Sequence, residues 1–228
     1  MIVLGLDTAT RATTVALWDE MADPLEGRDD PRPGERPSHA TRLLPLAAGL
    51  LERAGASWAD LDLIAVGVGP GTFTGLRIGV ATARALAQAL GTPLLGVSTL
   101  QSLAWNVEDG RLVLAVLDAR RGEVFAGGWR SGTPFLIPRA CTPQELAATI
   151  GGLESGPLAV GEGAVEFREV LERSGAIIPG DDSELHRVSA AGHCRIARTL
   201  RAGAPETVHP EYLRLPDAEV ARRIPAKR

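Results

Sequence analysis

One pattern occurs twice in this chain and limits what it can fold into: an apolar run ending on an aspartate, a tight turn, and a returning run. Ile2 to Leu6 ends at Asp7, Thr8-Ala9-Thr10-Arg11 turns, and the β-branched run Thr13 to Trp18 returns. Leu112 to Leu117 ends at Asp118, Ala119-Arg120-Arg121-Gly122 turns, and Glu123 to Trp129 returns with alternating polarity. Each unit is a β-hairpin. After each hairpin the order is a further extended segment, a helix, a strand and more helix, so the fold class is α/β, with two tandem lobes that each hold a mixed sheet and helices. The boundaries fall at 1–105 and 106–210, followed by a C-terminal segment with a basic tail at 211–228.

In the first half, residues 19–37 are acidic and proline-bearing and read as a loose hairpin end or exposed loop. Ser38 then caps a helix that runs to about Ala54 and closes at Gly55, with Pro45 expected to kink it. Its leucines, Leu43, Leu44, Leu46, Leu50 and Leu51, occupy more than one face. Leu63 to Val68 is a buried strand, Gly69 to Gly75 a glycine-rich loop, and Leu76 to Leu90 a helix stopped by Gly91 and Pro93. Leu94 to Val97 is a short strand, and Ser98 caps a helix through Trp105. In the second half, Thr142-Pro143-Gln144-Glu145 is a capping box with proline at the first helical position. Leu158 to Val160 is a strand, Gly161-Glu162-Gly163 turns into a helix to about Glu172, and Ser189 caps a last helix to about Gly203.

Several chemistries are excluded at once. The single lysine, Lys227, is next to last, so no buried lysine can serve as Schiff base, general base or phosphate-loop residue. Cys141 and Cys194 stand far apart without a C-x-x-C, which builds neither a disulfide framework nor a zinc ribbon and points to a reducing cytoplasm. The apolar N-terminus meets Asp7 without a preceding basic segment, unlike a signal peptide, and the uncharged stretch Ala85 to Val107 is too interrupted by polar residues to span a membrane. His39, His186, His193 and His209 are scattered, with no i, i+4 pair and no H-E-x-x-H, so no metal site or Ser/His/Asp set can be assigned; each is expected at the surface or at a cap.

Two features leave alternatives open. Asp7, Thr8 and Asp118, with the turn holding Gly161 and Gly163, form a clamp that would hold a nucleotide and hydrated Mg²⁺ if the lobes face each other, but an aspartate at a strand end also bonds its own turn's amides. Net charge is −4, yet residues 186–228 hold nine basic and four acidic side chains. Arg195, Arg198 and Arg201 recur on the last helix and Arg222, Arg223, Lys227 and Arg228 follow, either to meet RNA phosphates or as a solvated face.

The most unusual segment is Gly69-Pro70-Gly71-Thr72-Phe73-Thr74-Gly75-Leu76-Arg77-Ile78-Gly79. It is neither a P-loop nor G-x-G-x-x-G, and it serves equally as an anion cradle at a helix N-terminus or as a rigid structural turn. Gly79 and the alanines at 81, 83, 85, 87 and 89 follow it, giving a small-residue helix surface that another helix can approach closely.

Taken with Leu6-Asp7-Thr8-Ala9-Thr10, His39-Ala40-Thr41-Arg42-Leu43-Leu44-Pro45, Gly96-Val97-Ser98-Thr99-Leu100, Leu117-Asp118-Ala119-Arg120-Arg121 and Tyr212 to Glu219, this segment resembles the TsaB (YeaZ) family of tRNA threonylcarbamoyladenosine biosynthesis proteins. The departure is the 19–37 segment, longer and more acidic than is usual there. The resemblance implies two RNase H-like lobes of the actin-like ATPase superfamily and a non-catalytic subunit. Such a subunit works with TsaD, the catalytic paralogue, and the ATPase TsaE, reaches tRNA through that complex, and forms a homodimer when the partner is absent. The assembly transfers threonylcarbamoyl from an adenylate made by TsaC to the adenosine beside the anticodon. TsaD-type relatives carry two histidines four apart where Thr99 and Leu103 stand here. The resemblance also implies pairing through the helices at 38–54 and 76–90, with His39, Leu43, Leu46, Leu50, Arg77, Val80, Ala81 and Arg84 as interface candidates by helical spacing. No tightly bound cofactor is expected; ATP or ADP with Mg²⁺ belongs to the alternative of a small kinase-like enzyme.

Overall fold

The structure, a computed structural model, describes residues 1–214 apart from Met21, Pro33, Glu108 and Asp109. The basic tail at 222–228 and the Pro216–Glu219 part of the C-terminal motif lie outside the described residues.

Both hairpins form. Strand β1 (Ile2–Asp7) pairs antiparallel with β2 (Thr13–Asp19), placing Asp7 opposite Thr14. Strand β3 (Leu25–Asp29) adds at the edge, and β4 (Leu63–Gly69) and β5 (Leu94–Ser98) add in parallel on the other side, giving the order β3-β2-β1-β4-β5. The 19–37 segment therefore contains a strand rather than being only a loop. The second sheet repeats this arrangement without a fifth strand: β6 (Val113–Arg120), β7 (Glu123–Arg130), β8 (Thr133–Cys141) and β9 (Leu158–Val160) lie in the order β8-β7-β6-β9. All seven residues of β4 are buried, as a central parallel strand covered on both faces requires.

Helices α1 (His39–Ala54) and α2 (Phe73–Leu90) cover one face of the first sheet. Gly55 and Gly91 end them in left-handed conformations. Helix α3 (Thr99–Trp105) leads to the second sheet, where α4 (Pro143–Gly151), α5 (Glu162–Glu166) and α6 (Arg168–Arg173) pack. The capping box at Thr142 and Glu145 is formed in both directions.

Three helix limits differ from expectation. Helix α2 begins at Phe73, because Thr72 is an extended N-cap whose N–H donates to the Ala9 carbonyl at 2.7 Å. The helix after Gly161 breaks at Phe167, which separates α5 from α6. The last helix, α7 (Ala190–Ala197), stops six residues short of Gly203, so Arg201 is not on it. Helix α7 also packs under the first sheet, against Val3, Ala16, Ala65 and Val97. Gly203 then bridges Leu94, and the Glu211 N–H donates to the Val68 carbonyl at 2.7 Å. Residues 190–211, placed by their position with the second lobe, thus complete the core of the first. No helix among the described residues is long and apolar enough to cross a membrane.

Candidate functional site

The turn at the end of β1 and the glycine segment meet. Thr8 Oγ1 donates to the Gly75 carbonyl at 2.7 Å. A Cβ on Gly71 would collide with Ala9, one on Gly75 with the Thr8 carbonyl, and one on Gly79 with Thr8 Oγ1. These glycines recur every four residues, so one side of α2 and its lead-in is bare where the β1–β2 turn presses on it. Gly69, Gly71 and Gly75 each lie against protein backbone, which suits the rigid structural turn, and Phe73 and Thr74 lie exposed in the first turn of α2.

The proposed nucleotide residues are likewise committed to internal contacts. Asp7 is buried; its Oδ1 accepts the Ala9 N–H at 2.8 Å, and its Oδ2 accepts the Thr99 hydroxyl at 3.1 Å and faces His193 Nε2 at 2.7 Å. A Cβ on Gly67 would sit on that carboxylate. Asp118 accepts the Arg120 N–H at 2.7 Å and pairs with the same guanidinium at 3.0 Å, so it bonds its own turn. Gly161, at φ 105°, has no room for a Cβ beside the Val116 carbonyl, and its N–H donates to His186 Nδ1 at 3.1 Å. Gly163 packs on the backbone of Leu117 and Asp118.

A cavity of about 250 Å³ between the lobes is lined by Thr10, Arg28, Glu162, Asp181, His186 and Arg187. Glu162 reaches water there, yet enclosure by the cleft walls, then the charge of Asp118, holds its carboxyl above the usual range. A magnesium nucleotide needs open carboxylates and unspent amides. Asp7 offers neither opening nor free oxygen, so it does not fit that group, and among the described residues no three His, Cys, Asp or Glu side chains cluster to hold a metal.

The histidines correct the surface expectation. His39, His186 and His193 are buried, and His209 is exposed. His39 Nδ1 lies 2.9 Å from Thr13 Oγ1, and burial holds its pKa below the ordinary value against the pull of Asp7 and Asp29. Leu103 is a core residue, and Thr99 belongs to Asp7. Arg195 and Arg198 lie over the Trp18 ring at 5.5 and 4.7 Å, and Arg198 pairs with Glu20 at 3.2 Å. With the helix ending at Ala197, Arg195, Arg198 and Arg201 do not form one helical row.

The outer face of α1 and α2 is differently built. Leu43, Leu50 and Val80, expected at an interface, are core residues, because they lie on the sheet side of their helices. Leu46 is half-buried against the same core. His39, also an interface candidate, points inward to Thr13. Outward stand Leu44, which is 42% exposed, with Pro45, Ala48, Arg77, Ala81 and Ala85. Arg84 is half-buried. Leu44, Ala81, Thr82, Ala85 and Leu86 line an apolar groove of about 410 Å³ between the helices. At the start of α2, Phe73 stacks with Tyr212 at 5.3 Å between centroids, and the Arg77 guanidinium lies 3.8 Å over Phe73 while its Nε donates to the Tyr212 oxygen at 3.3 Å. Leu44, Pro45 and Ala48 were missed as outward residues because helical spacing does not say which side a sheet will take.

Comparison with known proteins gives the family context. The family model for TsaD, tRNA N6-adenosine threonylcarbamoyltransferase, matches residues 35–133. The chain is 41% identical over 128 residues to the tRNA threonylcarbamoyladenosine biosynthesis protein TsaB of Escherichia coli, covering 55% of this chain and 53% of that protein. The match therefore spans about half the length of that relative. An uncharacterized protein of Mycobacterium tuberculosis is 36% identical over 222 residues, covering 95% of this chain and 93% of its own. Among solved structures, YeaZ from Pseudomonas aeruginosa superposes with a TM-score of 0.76 at 31% identity, covering 92% of this chain and 99% of that one.

Proposed function

The chain belongs to the TsaB (YeaZ) family, and from that membership we propose that it is a non-catalytic scaffold and activating subunit in tRNA threonylcarbamoyladenosine synthesis. It binds a TsaD-type catalytic paralogue through the outer face of α1 and α2. The paralogue then transfers threonylcarbamoyl from its adenylate to the adenosine beside the anticodon, with a TsaE-type ATPase and tRNA joining through the complex.

The observation that carries this reading is the groove between α1 and α2, where Leu44 stands exposed above the small side chains Ala81 and Ala85. Alanines on an exposed helix face let a second helix approach closely, and an exposed apolar stripe over a complete core is surface in want of a partner. A second support is the closed Asp7 carboxylate, which leaves the cleft between the lobes without an open acid at the end of β1. Nucleotide, on this reading, is a property of the assembled complex and not of this chain alone. The working compartment is the cytoplasm.

The deciding experiment is threonylcarbamoylation of tRNA from labelled threonine with TsaC, TsaD and TsaE partners, with and without this protein, and with this protein in place of TsaD. Product only when both this chain and TsaD are present supports the proposal. Product with this chain replacing TsaD overturns it and returns attention to Asp7 and Asp118.

A further inference from the structure

Charge separates two occupants that the same groove would admit on shape alone. Helix α2 carries Arg77 and Arg84 and no acid; α1 carries Arg42, Arg53 and a single acid, Glu52. Arg42 is committed to Asp29 of β3 at 2.9 Å. Arg53 and Arg84, and the terminal amino groups of Arg77, have no carboxylate partner among the described residues. The outer helix face is thus basic on a chain whose net charge is −4. Arg77 is also held in place: the Phe73 ring lies under its guanidinium and the Tyr212 oxygen accepts from its Nε, so its remaining donors project from a fixed fork. A side chain already ordered loses less entropy when it meets a carboxylate.

We infer that Arg77 and Arg84 select the occupant of this face: a partner helix that presents carboxylates two turns apart, about 10.5 Å along the axis, in preference to a second copy of this chain. This rests on the reading of the α1–α2 face as the partner surface. Two copies meeting through it would bring three uncommitted arginines on each side against Glu52 of α1 and Glu206, which lines one surface hollow with Arg84. Repulsion between such solvent-facing charges is screened over a Debye length of about 10 Å at moderate salt, so it acts in dilute buffer and fades as salt rises. Attraction to an acidic partner fades over the same range.

The test measures two equilibria at low and high salt: self-association of the full chain by sedimentation, and binding to a TsaD-type paralogue by calorimetry. The expected result is opposite salt dependences, with self-association strengthening and paralogue binding weakening as salt rises. R77E/R84E should weaken paralogue binding at low salt by about tenfold or more. R84E should weaken it in part and so guards against an effect of lost Arg77 packing, since the Arg84 side chain makes no hydrogen bond or ion pair among the described residues. Mixing wild-type chain with R77E/R84E should give more association than either alone. Paralogue binding indifferent to salt and to both variants overturns the inference while leaving the partner surface standing. Self-association of the wild type as tight at low salt as paralogue binding also overturns it. No paralogue binding by the wild type at either salt overturns the inference together with the reading beneath it.

Discussion

His193 Nε2 lies 2.7 Å from Asp7 Oδ2, and both side chains are shut off from solvent. The pair joins the last helix to the first strand across nearly the whole length of the chain. Thr99, at the start of α3, donates to the same oxygen. One carboxylate therefore ties together β1, the helix that leads to the second sheet, and α7. Its place at the turn of β1 resembles a ligand site, but its partners make it a structural tie.

Breaking that tie should be costly. Removing His193 takes one of three hydrogen-bond partners from a buried carboxylate that keeps the Ala9 N–H and the Thr99 hydroxyl, a loss of about 1–3 kcal/mol. His193→Ala should lower unfolding free energy by that order in urea titrations, and His193→Gln, which keeps a donor, should lower it less. Equal, negligible effects from both would show that the pair bears no weight.

The glycines divide into two kinds. Gly75→Ala drives a Cβ into the Thr8 carbonyl and should destabilise by about 1–3 kcal/mol. Gly49, inside α1, has nothing within 4 Å of a built Cβ. Gly49→Ala should stabilise by about 0.5–1 kcal/mol through helix propensity. Thermal unfolding of the two variants side by side checks the contrast.

Outward and inward leucines on α1 should separate cleanly. Leu44→Glu should retain the wild-type melting temperature and lose paralogue binding in gel filtration. Leu50 is in the core, and even Leu50→Ala should cost about 2–5 kcal/mol. If Leu44→Glu still co-elutes with the paralogue, the groove is not the partner surface.

Two groups give stability opposite dependences on pH. His39 has a folded pKa below its ordinary 6.5, so the unfolded chain takes up protons first and stability falls as pH drops through that range. His39→Gln should flatten this slope in chemical unfolding followed between neutral and mildly acidic pH. Glu162 has a folded pKa above its ordinary 4.5; the neutral acid is favoured in the fold, and the stability it supplies at low pH is lost as pH rises through the folded value. Glu162→Gln should therefore be more stable than wild type at neutral pH, with the gain vanishing below 4.5. A constant difference across pH would assign the effect to packing instead.

The two hairpins, the parallel strands and the helix ends at Gly55, Gly91 and Thr142 were legible in the sequence because each is decided locally. An apolar run, a turn residue or a capping box acts through neighbours a few residues away, and the repeated pattern made the two-sheet architecture readable from one strand to the next. What only the tertiary structure decided depends on which distant surface arrives. Leu43 and Leu44 are adjacent and chemically identical, yet the sheet buries one and leaves the other to line the groove. The spacing of Gly71, Gly75 and Gly79 is visible in the chain, but its cause, the β1–β2 turn pressing on α2, is contributed by Thr8 and Ala9 more than sixty residues away. Asp7 looked like a nucleotide ligand until α7 folded back and set His193 against it. Local sequence determines conformation; whether a side chain is open, paired or covered depends on long-range packing, and at Asp7 and on α1 that packing decided which residues remain available for function.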